Sequence, residues 1–142
     1  MSADTLIPLW PGDAPGVDSA SPRHVPSYIP FLLPKGESRA LMVVLPGGGY
    51  QRRAPHEGDD IALWLNSIGI SAIVCHYRVA PYCHPCPSLD ARRAIRTARF
   101  QAEKWGIDAE KTGVIGFSAG GHLAGMISTR FEDEDNSFAD EI

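Results

Sequence analysis

Three short apolar runs, each ending in a turn signal and each followed by a helical pattern, limit the possible folds more than any other feature of this chain. Leu41-Met42-Val43-Val44-Leu45 is apolar throughout, the pattern of a strand covered on both faces. It stops at Pro46-Gly47-Gly48-Gly49. Residues 71–77 form the second run, and Val114 to Phe117 the third. Between them, residues 57–68 place Ile61, Trp64, Leu65 and Ile68 at helical spacing, with Glu57, Asp59 and Asp60 in the first turn and Gly69 just past the end. Residues 88–105 predict a long helix that buries Ala91, Ala94, Ile95, Ala98, Ala102 and Trp105, and Gly106 before Ile107 fits a Schellman stop. A last helix is expected over residues 121–130. Strand followed by helix, three times over with short connections, predicts an α/β fold: a mostly parallel sheet with helices on both faces.

At 142 residues and 44% hydrophobic content the chain suits one domain with a real core, and no repeat or linker divides it. Residues 1–40 are proline-rich and expected to be extended and irregular, with residues 28–33 an edge strand at most. Glu132, Asp133, Glu134, Asp135, Asp140 and Glu141 hold six of the 17 acids, leaving 11 against 13 Lys and Arg, and residues 132–142 read as an acidic, disordered tail. That balance lacks the basic footprint of nucleic-acid binding, and Arg92, Arg93, Arg96 and Arg99 read as the solvated face of a helix. The first residues have no signal-peptide pattern and no run reaches membrane-spanning length, so no membrane association and a cytoplasmic location are expected. Three cysteines give no disulfide framework. Cys83-His84-Pro85-Cys86 has redox or half-metal-site spacing, but without a second pair it reads as two loop cysteines.

Active sites in parallel sheets lie at the carboxyl ends of the strands, where both glycine-rich turns fall. A dinucleotide fingerprint starting at Gly47 and Gly49 requires glycine at Arg52; a P-loop from Gly116 to Gly121 requires Lys and then Ser or Thr where His122 and Leu123 stand. Acyl transfer remains. Gly116-Phe117-Ser118-Ala119-Gly120 then reads as a nucleophile elbow: small residues at 116, 120 and 121 let a strand turn sharply into a helix and expose Ser118 as the nucleophile. Backbone N–H groups of Gly48, Gly49 and Ala119 are the expected oxyanion-hole donors. No cofactor and no metal are called for.

Several segments resemble the alpha/beta-hydrolase fold and, within it, the carbohydrate-esterase branch that includes acetylxylan esterases. They are Pro8-Leu9-Trp10-Pro11-Gly12, Leu45-Pro46-Gly47-Gly48-Gly49-Tyr50, Tyr77-Arg78-Val79-Ala80-Pro81, Leu89-Asp90-Ala91 and Gly116 to Ala124, in family order. Relatives often carry His at the position of Pro46. The resemblance implies a serine esterase that removes small acyl groups, acetyl above all, from a carbohydrate. Hydrolases of this fold place the acid and then the histidine after the serine, and only 24 residues follow Ser118. His122 is too close along its own helix and reads as a packing or hydrogen-bonding histidine. His24, His56, His76 and His84 precede the serine and read as structural or solvated, while Asp133 and Asp135 lie in a run of like charge. The expected chain is therefore the first half of a hydrolase, truncated after the nucleophile helix, lacking the triad acid and histidine and nearly inactive by itself, since losing such a histidine costs about 10⁶ in turnover. Its last strand would leave an open edge that favours self-association. Two alternatives stay open: a non-catalytic half-domain that binds or assembles, and a peptidase on the same fold.

Overall fold

The computed structural model describes residues 5–18, 20, 24–36, 39–130 and 142; the expected acidic tail thus lies almost wholly outside the described residues. Elements follow the order β1 (Ile7–Pro8), β2 (Ser27–Phe31), β3 (Arg39–Leu45), a 3₁₀ turn at Pro55–Glu57, α1 (Asp59–Ser67), β4 (Ser71–His76), α2 (Cys86–Phe100), α3 (Ala102–Trp105), β5 (Ile107–Gly116) and α4 (Ala119–Thr129). One five-stranded sheet has the order β1-β2-β4-β3-β5. β4, β3 and β5 are parallel, and β2 and β1 continue the sheet antiparallel on the β4 side.

The alternating side chains of the β3 run divide the core. Leu41, Val43 and Leu45 pack with Ala91, Ala94, Ala98, Leu123 and Ile127 of α2 and α4 on one face. Val44 packs with Ala62 and Leu65 of α1 on the other. Ala91, Ala94 and Ala98 are all fully buried, and their small size lets α2 lie close on the sheet. Each buried Val or Leu contributes about 1.5–3 kcal/mol, so this double-sided strand is the main apolar support of the turn that follows it.

The order of the parallel strands positions the site. From β3 the chain crosses by α1 to β4 on one side, then by α2 over β3 to β5 on the other. The two crossovers run in opposite directions, so right-handed connections put their helices on opposite faces, and the loops leaving β3 and β5 diverge into a crevice.

Four expectations change. Residues 28–33 were expected to give an edge strand at most, yet β2 is paired on both sides, by β1 and by β4. Pro30 is tolerated there because the described β1 ladder ends at Tyr28. The helix expected over 88–105 is interrupted at Gln101, and Gly106 then takes the expected left-handed stop at φ +67°. Arg93 is buried rather than solvated: its Nε donates to the Leu9 carbonyl at 2.9 Å and its guanidinium lies over the Trp10 ring. Of the four apolar residues read at helical spacing over residues 57–68, Trp64 and Ile68, the latter just past the end of α1, are each 54% exposed. Among the described residues no helix is long and apolar enough to cross a membrane.

Candidate active site

Leu45 pairs with Gly116 in register, and the Phe117 N–H donates to the Leu45 carbonyl at 3.2 Å, so the ends of β3 and β5 are level. Ser118 follows at φ +50°, ψ −116° and is exposed. A non-glycine residue in this region is strained, and the surrounding turn must hold it there. The flanking glycines show how: a Cβ at Gly116 would overlap the Gly120 carbonyl, and one at Gly120 would overlap the Leu45 carbonyl. Any larger residue would push α4 off the sheet.

The other glycine turn packs directly on this elbow. A Cβ at Gly47 would lie 3.0 Å from Ser118 Cβ, 2.5 Å from the Phe117 carbonyl oxygen and 2.6 Å from Glu57 Oε2. The Gly47 carbonyl accepts from Ala54 N–H at 2.8 Å, and the Gly48 carbonyl accepts from Gln51 and Arg52 at 3.1 and 3.2 Å. In a trans peptide the N–H points opposite its carbonyl. The Gly48 and Gly49 amides are therefore turned away from residues 51–54, and neither they nor Ala119 N–H has a hydrogen-bond partner among the described residues. Gly48 at φ +138° and Gly49 at φ +64° hold backbone angles that glycine tolerates best.

Side chains fix the entry to this turn. Glu57 Oε2 accepts from Gly47 N–H at 2.8 Å, and the Tyr77 hydroxyl donates to the Pro46 carbonyl. Burial, with Tyr50 and Cys75 nearby, pushes the Tyr77 phenol well above its ordinary range, which keeps it a donor. Tyr50, at φ +58°, shares a 2.8 Å hydrogen bond with His122 Nδ1, so His122 is engaged with the loop after β3. A cavity of about 460 Å³ opens beside this pair, walled by Tyr82, Cys83, His84, Leu123 and Met126.

The Ser118 hydroxyl has no hydrogen bond to a histidine or an acid among the described residues; His122 meets Ser118 only through its backbone N–H, which donates to the Ser118 carbonyl at 2.9 Å. His24 and His76 are both lowered to about 4, His24 by burial and then by Arg53, His76 and Arg78, His76 by burial and then by Arg53. Cys83 is exposed and Cys86 buried, both as free thiols, with Cys86 opening α2.

Sequence reasoning missed the groups that hold the site together. Glu57 read only as a first-turn acid. Arg78 and Asp90, which lie in two of the segments carrying the resemblance, form a pair with neither side chain exposed, Nε to Oδ2 at 2.8 Å and Nη2 to Oδ1 at 2.9 Å. The Arg78 backbone N–H and Trp10 Nε1 also donate to Asp90, at 2.9 and 3.1 Å. Shared membership of the motif order was the available signal; the contact itself spans 80 residues to Trp10.

A parallel core with a strained, exposed serine at the turn from strand to helix defines the α/β-hydrolase class. The BD-FAE family profile matches residues 30–141. The acetylxylan esterase of Xylanibacter ruminicola is 40% identical over 99 residues, 69% of this chain and 21% of that protein. Endo-1,4-beta-xylanase B of Butyrivibrio fibrisolvens is 35% identical over 123 residues, 83% of this chain and 19% of that protein. Among solved structures, the acetyl ester-xyloside bifunctional hydrolase of Caldicellulosiruptor lactoaceticus is 49% identical with a TM-score of 0.87, covering 96% of this chain and 50% of that one. The α/β hydrolase MGS-M1, from a Medee basin deep-sea metagenome library, is 29% identical with a TM-score of 0.76, covering 93% and 53%. The chain belongs to the BD-FAE family, among the ester hydrolases of the α/β-hydrolase fold. It spans about a fifth of the length of the two curated relatives and about half of the two solved structures.

Proposed function

We propose that this chain carries the nucleophile of a serine ester hydrolase of the acetylxylan or carbohydrate-esterase type. Ser118 Oγ attacks the acyl carbon of a small ester or an acetylated sugar, and its proton passes to a base. The carbonyl oxygen gains the negative charge, which the Gly48, Gly49 and Ala119 amides receive; the alcohol then leaves and water releases the acyl group from Ser118. Among the described residues no histidine or acid side chain is hydrogen-bonded to the Ser118 hydroxyl. The observation that carries the reading is the close packing of the two glycine turns, so close that a Cβ at Gly47 would lie 3.0 Å from Ser118 Cβ, with two unengaged glycine amides in the turn that meets an exposed, strained serine. The names of the acetylxylan esterase and the acetyl ester-xyloside hydrolase support an acetylated carbohydrate as substrate.

The test is acylation rather than turnover, because a missing histidine slows turnover by about 10⁶. The protein is incubated with p-nitrophenyl acetate and digested, and the acetyl group is located by mass spectrometry. Acetyl on the Ser118 peptide, absent in Ser118→Ala, is the expected result. Equal labelling of the two proteins, or acetyl only on lysines, sinks the reading.

A further inference from the structure

Three glycines in a row are the least ordered way to present hydrogen-bond donors, since glycine loses the most conformational freedom on folding. Electrostatic catalysis nevertheless needs donors already aimed before the charge develops. Something outside the glycines must fix their direction. The Gly47 and Gly48 carbonyls are tied down by residues 51–54, which settles the far side of the turn. The near side begins at the Pro46–Gly47 peptide, and both polar ends of that single planar unit are held by side chains: its carbonyl by the Tyr77 hydroxyl, its N–H by Glu57 Oε2 at 2.8 Å.

We propose that Glu57 and Tyr77 form a two-sided clamp on the Pro46–Gly47 peptide, and that this clamp aims the Gly48 and Gly49 amides at the oxyanion formed on Ser118. The proposal rests on Ser118 being the nucleophile. Turning the peptide requires breaking both bonds together. The same peptide is wedged from the elbow side, since a Cβ at Gly120 would lie 2.7 Å from the Pro46 carbonyl oxygen. The clamp is therefore the joint at which the two glycine turns keep a fixed spacing. Glu57 comes from the 3₁₀ turn before α1 and Tyr77 from the end of β4, so strand β3, its loop and strand β4 all report to one peptide. Neither side chain touches the reacting atoms; both are positioning residues. Glu57 needs only an acceptor oxygen for this task, and Gln supplies one.

The experiment uses ¹H–¹⁵N spectra of the full chain. Glu57→Ala is expected to raise exchange of the Gly47 amide by at least about tenfold, as expected when a protecting hydrogen bond is lost, and to move the Gly48 and Gly49 resonances. Glu57→Gln restores both, while Tyr77→Phe moves Gly48 and Gly49 from the opposite side of the peptide. The acetylation rate of Ser118 by p-nitrophenyl acetate falls in parallel, by about tenfold, less than the 10²–10³ that follows outright loss of one donor. If Glu57→Ala proves unfolded, Glu57→Gln and Tyr77→Phe carry the test. Gly48 and Gly49 resonances that stay in place in Tyr77→Phe, or a Glu57→Gln protein no better than Glu57→Ala, overturn the clamp. Labelling that persists in Ser118→Ala refutes the nucleophile instead, and the spectra then judge the clamp independently.

Discussion

Replacing Asp90 by Ala removes the acceptor for four donors at once: Arg78 N–H, Nε and Nη2, and Trp10 Nε1. The Arg78 guanidinium, with no exposed side-chain surface, keeps the Pro15 carbonyl, at 2.7 Å from Nη1, and the face of the Tyr82 ring, but no counter-charge. An uncompensated buried charge typically costs about 3–5 kcal/mol. That is a large share of the roughly 5–15 kcal/mol that holds a domain folded. With a urea slope of about 2 kcal/mol/M, the unfolding midpoint should fall by about 1.5–2.5 M, followed by circular dichroism. The paired variant Arg78→Met with Asp90→Leu separates causes. It takes both charges away, and a buried pair roughly breaks even with apolar residues of similar volume, so most of the loss should be recovered. Only the Trp10 N–H, the backbone N–H of residue 78 and the Pro15 carbonyl lose a partner there. An Asp90→Ala protein within about 1 kcal/mol of the parent, or a double variant as unstable as the single one, refutes the reasoning.

Gly120→Ala should abolish soluble folded protein, because its Cβ would overlap the Leu45 carbonyl, whereas Gly125→Ala on the same helix meets nothing within 4 Å and should raise stability by about 0.5–1 kcal/mol in thermal melts. Stability should fall with acid between pH 6.5 and about 4: His24 and His76 titrate near 4 when folded and near 6.5 when unfolded, so the unfolded chain binds more protons in that window. Urea midpoints at pH 7 and pH 5 measure this, and a His24→Gln/His76→Gln protein should show a flatter dependence. Among the described residues β5 pairs with β3 alone, leaving its other edge open, so the isolated chain should self-associate; a concentration-independent monomer in analytical ultracentrifugation would contradict this.

Strands 39–45 and 71–76 were legible because a buried parallel strand announces itself as an apolar run, whereas the third strand was read only from Val114 and in fact begins at Ile107, its mostly polar residues 108–113 being only partly covered; the elbow was legible because glycines at 116 and 120 are forced by contact with backbone. The left-handed stop at Gly106 was readable for the same local reason. Arg93 was misjudged because a helix period places a side chain on a face without saying what lies opposite; here it is Trp10 and the Leu9 carbonyl, more than 80 residues away. Trp64 and Ile68 show the reverse, apolar residues at the right spacing that the fold leaves more than half exposed.

By itself the sequence determined the local pieces: three strands for a sheet covered on both faces, the helices between them, and two turns that only glycine permits, one carrying an exposed serine. Tertiary structure alone decided that these turns face each other. Strand order follows from the opposite directions of the two crossovers, and only that order brings β3 beside β5 and Gly47 within reach of Ser118. It likewise turned Glu57, Tyr77, Arg78 and Asp90 from ordinary polar residues into the bonds that hold the site, because a hydrogen bond depends on distance in space, which periodicity along a chain does not encode.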